Sequence, residues 1–76
     1  MQTKFKRHQS VILTRDPNPE YVEHQPDFEE TVITKGMKGK INILLPNGQY
    51  HVEILDDKSN TIAYIKADED EIIADE

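Results

Sequence analysis

The chain has 76 residues, no cysteine, no tryptophan, and nine lysines and arginines against fifteen carboxylates, for a net charge of −6. That length supports one domain with a core near the lower limit for independent stability, and without cysteine neither a disulfide nor a cysteine-bound zinc can brace it. The acidic balance argues against non-specific attraction to phosphate backbones or anionic membranes, and the lack of cysteine suits a reducing, cytoplasmic setting.

Charge is unevenly spread: +3 over residues 1–10, −5 over 11–30, +3 over 31–50 and −7 over 51–76. Residues 1–9 are polar with one aromatic, Phe5, and read as a flexible or edge segment preceding a domain at 10–74. Lys4, Lys6 and Arg7 resemble the basic start of a signal peptide, but Val11-Ile12-Leu13 is far too short to follow it. No apolar run is long enough to cross a membrane as a helix, so a soluble intracellular protein is expected.

Ser10–Thr14 is β-branched and reads as the first strand. Pro17, Asn18 and Pro19 break it, and residues 15–30 then form a long acidic loop carrying Pro26, Tyr21 and Phe28. Glu30–Lys35 reads as a second strand around Val32 and Ile33, ended by Gly36-Met-Lys-Gly39 as a tight turn or a bulge.

Lys40–Leu55 reads as a hairpin folded at Asn47-Gly48, the residue pair that supplies the positive φ angles of a two-residue type I′ turn. On that register Leu45 faces Tyr50, Ile43 faces Val52 and Ile41 faces Ile54. All six share one face, with Lys40, Asn42, His51 and Glu53 on the other. A three-residue loop centred on Pro46-Asn47-Gly48 opposes Ile43 to His51 and mixes the faces, so the two-residue turn is preferred. After a polar turn at Asp56–Asn60, Thr61–Lys66 forms the next strand, with Ile62 and Tyr64 on one face and Ala63 and Ile65 on the other. Ala67–Glu71 makes a short turn, and Ile72-Ile73 closes the sheet.

Five short strands with one long early loop cannot build two separate cored sheets, so they are expected to roll into one small all-β barrel. Its interior comprises Val11, Leu13, Val32, Ile33, Ile41, Ile43, Leu45, Tyr50, Val52, Ile54, Ile62, Tyr64 and Ile72. In this order the strands resemble a single five-stranded SH3-like barrel with a long loop after the first strand. Val11-Ile-Leu-Thr-Arg-Asp-Pro17, Gly36-Met-Lys-Gly-Lys-Ile41 and Tyr50-His-Val-Glu-Ile-Leu-Asp56 resemble the pattern of a group of short bacterial SH3-like proteins of unknown function, a likeness covering residues 10–73. Lys35-Gly-Met-Lys-Gly-Lys-Ile41 is similar to the start of the glycine-marked KOW motif of ribosomal proteins and transcription elongation factors. A peptide-binding SH3 domain, with its aromatic groove for polyproline, is a poor match to a chain without tryptophan.

No chemical motif stands out. His8, His24 and His51 are 16 and 27 residues apart, which fits no metal spacing, and neither a metal nor a cofactor is expected. Asp56–Asn60 lacks the ligand series of a calcium loop, and the carboxylate pairs Asp56/Asp57 and Glu69/Glu71 lie in solvated turns unsuited to raising a pKa. Ser10 and Ser59 have no nucleophile motif around them, and no helix follows Gly36–Gly39 to hold a phosphate. The residues therefore point to a non-enzymatic protein-binding module, an accessory or an inhibitory, antitoxin-like protein engaging a basic partner. Tyr21, Glu23, Asp27, Phe28, Glu53 and Asp56 are the candidate contacts. The alternative is KOW-like binding to RNA, a ribosome or a transcription complex through Lys35, Lys38 and Lys40, with Phe5 placed for stacking. No small-molecule substrate is indicated.

Overall fold

Alternation of apolar and polar residues is cleanest in β4 (Gln49–Leu55), where Tyr50, Val52 and Ile54 are each fully buried between half-exposed neighbours. In the computed structural model, which describes residues 4–75, β4 lies inside a six-stranded antiparallel sheet. The other strands are β1 (Ser10–Leu13), β2 (Val22–His24), β3 (Lys38–Leu45), β5 (Thr61–Asp68) and β6 (Ile72–Ala74), and the order across the sheet is β2-β5-β4-β3-β1-β6. There is no α-helix among the described residues, and no helix long and apolar enough to cross a membrane.

The protein is thus all-β, but the expected closed five-stranded barrel is an open six-stranded sheet: β2 and β6 end the order without pairing to each other. The sheet curls around a single cluster built from Val11 and Leu13 of β1, Ile41 of β3, the three residues of β4, Ile62, Ala63, Ile65 and Ala67 of β5, and Ile72 of β6.

The strand expected at Glu30–Lys35 is absent. Thr31–Thr34 makes no ladder; Ile33 drops into the core while Val32 is 73 % exposed. The extra strand lies instead within the acidic loop. Two proline-led 3-10 turns, Pro19–Tyr21 and Pro26–Phe28, bracket Val22-Glu23-His24, which pairs with β5 at Ile65, Tyr64 and Ala63. Proline at the first position of each turn sets φ and removes an amide that would have no partner there, so the loop is stiffened on both sides of a β-branched residue.

The β3–β4 hairpin takes the three-residue turn, Pro46–Gly48, with left-handed backbone at Asn47 (φ 63°) and Gly48 (φ 72°). The pairs are Leu45 with Gln49, Leu44 with Tyr50 and Ile43 with His51. Pro46 explains the preference: in a two-residue turn it would pair with Gln49, and it has no N–H for that closing bond. The mixing of faces that this register threatens is cured by a bulge at Asn42, where β3 spends two steps against one of β4. Ile41 therefore faces inward opposite Val52, and Leu44 packs against the core. Ile43, expected inside, is 47 % exposed on the opposite side from Val52.

A second bulge, at Ile62, does the same for β5, since Ile54 pairs with Ala63 and Leu55 with Thr61. Ile62 and Ala63 are consecutive and both buried, after which Ile65 and Ala67 continue inward. Ala63 and Ile65, expected to face away from the core, belong to it, and Tyr64 faces out.

Residues 4–9 are tied to the sheet. His8 donates its amide to Ile41 (2.7 Å), and Ile41 donates to Gln9 (2.9 Å), which extends the β1–β3 pairing. Phe5 is only 3 % exposed and meets Tyr50 edge-on at 5.4 Å between ring centres. The buried Tyr50 hydroxyl accepts from the Lys4 and Phe5 amides at 3.1 and 3.2 Å. Phe5 is therefore a core ring and not an exposed stacking group.

Candidate partner-binding surface

The register of four strands places a set of side chains on the outer, convex face. One row runs from Lys66 of β5 through His51 of β4 to Ile43 of β3, and Tyr21, the last residue of the 3-10 turn just before β2, lies over Lys66. The next runs Glu23, Tyr64, Glu53, Lys40 across the same four strands. At the usual strand spacing this surface is about 14 Å wide.

Contacts along the rows hold the rings in place. The Tyr64 ring stacks on His51 with centres 5.2 Å apart and planes 15° from parallel. The Asn42 side-chain amide donates to His51 Nδ1 at 3.0 Å, so the bulge that corrects the register also orients the imidazole. Lys66 Nζ lies 4.8 Å from the centre of the Tyr21 ring, which is itself 48 % exposed. Glu53 accepts a bond from the Thr61 hydroxyl at 3.3 Å and lies across the strand pair from Lys40. The face carries Lys40 and Lys66 against Glu20, Glu23 and Glu53, so its carboxylates outnumber its ammonium groups by one, with Glu20 and Glu23 beside Tyr21.

The six contact residues expected from sequence separate into two places. Tyr21, Glu23 and Glu53 share the outer face. Phe28 packs against the core and, with Asp56, lines a cleft formed by the loop at 28–38 and the turn at 56–60; Asp27 is exposed on the 3-10 turn beside Phe28. His51 and Glu53 face outward as their alternation in β4 predicted. Sequence alternation places Tyr64 and Ile43 in the interior, and only the two bulges turn them out.

Asp56 has a local structural task. Its carboxylate accepts from the amides of Asn60 (2.8 Å) and Lys58 (2.9 Å) and from the Asn60 side chain (3.2 Å). The Asn60 backbone bond leads in holding its pKa below the ordinary 3.8, with further help from the Asn60 side chain and Lys58. A folded-state pKa below the unfolded one contributes stability that is complete above the unfolded value and lost as pH falls through the folded one. The amide resonances of Lys58 and Asn60 are therefore expected to lose their turn positions below about pH 3.9, and not between pH 5 and 7. The same resonances should show no such titration in Asp56→Asn; an identical acid response in wild type and Asp56→Asn would contradict the assignment.

The lysines of the alternative reading are spread out. Lys35 is exposed at the turn before β3, its backbone amide bonded to Asp16 at 2.7 Å. Lys38 Nζ approaches Asp75 at 3.9 Å, and Lys40 is half-buried between Ser10 and Glu53. The imidazoles are also separately engaged: His24 Nε2 donates to the Thr31 carbonyl at 2.7 Å, while His51 lies on β4. Among the described residues one group has potential ligand atoms within 4.8 Å of one another, Asp68, Asp70 and Glu71. Two of these close a capping box on the 3-10 turn Glu69–Glu71: Asp68 accepts from the Glu71 amide, and Glu71 accepts from the Asp68 amide at 2.8 Å.

No protein-family model, curated protein or solved structure matches the chain.

Proposed function

We propose that this protein is a non-enzymatic binding module of SH3-like design that docks a basic partner protein on the outer face of β2, β5, β4 and β3. The observation that carries the reading is Tyr21, Tyr64, His51 and Ile43 presented together on a rigid, four-stranded surface flanked by Glu20 and Glu23. Rings held by neighbours lose little entropy on docking, and aromatic side chains are the usual anchors of protein interfaces. The acidic flank, in a chain of net charge −6, favours a basic partner and speeds its approach. An accessory subunit or an inhibitory, antitoxin-like protein working in the cytoplasm fits this description. The SH3-like reading draws support from the long loop between β1 and β3, the successive β3–β4–β5 hairpins and the 3-10 turn just before β6.

The test compares capture from native lysate by immobilised wild type, Tyr21→Ala and Tyr64→Ala. A docked ring at the centre of an interface contributes about 2 kcal/mol or more, so each change is expected to weaken retention of one specific protein by roughly 30-fold. Tyr21→Ala should leave thermal stability nearly unchanged, since the ring is half exposed. High salt should weaken capture of a basic partner. Equal capture by the variants would refute the surface, and capture abolished by ribonuclease would assign the protein to RNA.

A further inference from the structure

The three rings of the docking face, Tyr21, Tyr64 and His51, line one shallow cleft together with Glu20, Glu23 and Lys66. The cleft holds about 230 Å³, below the roughly 300–1,000 Å³ of pockets that enclose a whole small molecule, so it has room for the head of one side chain. We infer that this cleft takes an arginine side chain of the basic partner, an assignment that rests on the docking face proposed above. The guanidinium would lie on the Tyr21 ring in place of Lys66 and donate to Glu20 and Glu23.

The chain itself already places a cation on this ring. Lys66 Nζ lies 4.8 Å from the centre of the Tyr21 ring, within the reach of a cation–π contact. Lys66 is exposed, and among the described residues no carboxylate pairs with it, so the contact is of the weak kind that an incoming group can exchange. Two carboxylates line the cleft against this one ammonium, and among the described residues neither is used in a hydrogen bond or an ion pair. His51 adds no charge, because its Nδ1 accepts from the Asn42 amide. An entering cation therefore meets a net negative site, and a more negative one once the flexible Lys66 stem swings out to water.

The ring and the carboxylates together select arginine over lysine. A guanidinium is planar and weakly hydrated, so it stacks on a ring face while its edge donates two N–H groups to a carboxylate. A second ammonium would only repeat what Lys66 does and would stay strongly hydrated. The Tyr21 ring is 48 % exposed, so its face is open to a side chain arriving from solvent, and the Tyr64–His51 stack forms the facing part of the lining.

The probe is acetyl-Gly-Arg-Gly-amide, titrated into the full chain at low salt and followed by amide chemical shifts. Saturable shifts are expected at Tyr21–Glu23 and Tyr64–Lys66. The citrulline counterpart, which has the same shape without the charge, should bind about ten-fold more weakly or worse, and the lysine counterpart about three-fold more weakly. The double change Glu20→Gln and Glu23→Gln should weaken the arginine peptide by about ten-fold. Lys66→Gln should tighten it by about three-fold, because the resident competitor is gone; a Lys66–Tyr21 contact that only braces the fold would give no such gain. All three residues are exposed, so these variants are expected to keep the wild-type melting temperature. The proposal is overturned by equal binding of the citrulline peptide, by an unchanged affinity in the double variant, by weaker binding to Lys66→Gln or by an absence of shifts at millimolar peptide. Where the arginine peptide fails and Tyr21→Ala still loses its partner from lysate, the docking face stands and the arginine pocket alone falls.

Discussion

Phe5→Ala is expected to remove about a quarter or more of the stability of this domain, although the residue lies only four positions after Met1. The ring is 3 % exposed, meets Tyr50 edge-on, and belongs to the same cluster as Val52 and Ile54. Truncating a buried Phe costs about 3–5 kcal/mol through lost transfer energy and the cavity left behind. At about 0.05–0.15 kcal/mol per residue, a chain of this length has roughly 4–11 kcal/mol in total. Urea unfolding should show the transition midpoint falling sharply with little change in slope, and Phe5→Leu should recover most of the loss. Tyr50→Phe offers a finer probe of the same contact. It keeps the ring but leaves the Lys4 and Phe5 amides without the hydroxyl acceptor, at about 1–3 kcal/mol. A loss below about 1 kcal/mol for Phe5→Ala would show that residues 4–9 lie outside the cooperative unit.

Gly39→Ala is expected to lower the melting temperature by several degrees for a reason that differs from the usual one for glycine. A Cβ at position 39 would lie 2.7 Å from Val52 Cγ1 and 2.9 Å from the Glu53 carbonyl oxygen. The second neighbour is backbone within the β3–β4 ladder and cannot swing away, so strands that pair Gly39 with Ile54 must separate. Overpacking of this kind costs about 1–3 kcal/mol, and each kcal/mol is worth about 4–8 °C in a domain this small. Gly39→Val should fail to fold. Gly36 is the contrast: its φ of 91° makes any side chain strained, yet a Cβ there meets nothing within 4 Å. A measured increase in stability for Gly39→Ala would mean that the two strands pack less closely than their pairing implies.

These residues also show where a linear reading succeeds. The strand character of β1, β3, β4 and β5 is written in their β-branched composition and alternation, and the chain reversal at Asn47-Gly48 is written in two residues that tolerate positive φ. The outward placement of His51 and Glu53 follows from β4 alone, because that strand carries no irregularity. The exposure of Tyr21 and Glu23 is legible in their setting among prolines and carboxylates, which resists burial.

The errors share one physical origin. Alternation has a period of two, so one inserted residue exchanges the two faces of everything beyond it. Asn42 and Ile62 are such insertions, and neither residue type marks a bulge. Their positions follow from what the neighbouring strand can accept: Pro46 cannot close a two-residue turn, and Ile41 must meet Val52. β2 is likewise a three-residue strand that exists because β5 offers it a partner, and Phe5 is buried because Tyr50 holds its amide.

Local composition thus determined that this is a small, acidic, all-β protein with a hairpin in its middle. Long-range pairing alone decided which side chains share a surface, bringing Tyr64, His51 and Ile43 from three strands and Tyr21 from the turn before β2 onto one face. Cross-strand contacts are energies between residues distant in the chain, and a bulge or an edge strand is their outcome, so no short stretch of sequence contains it.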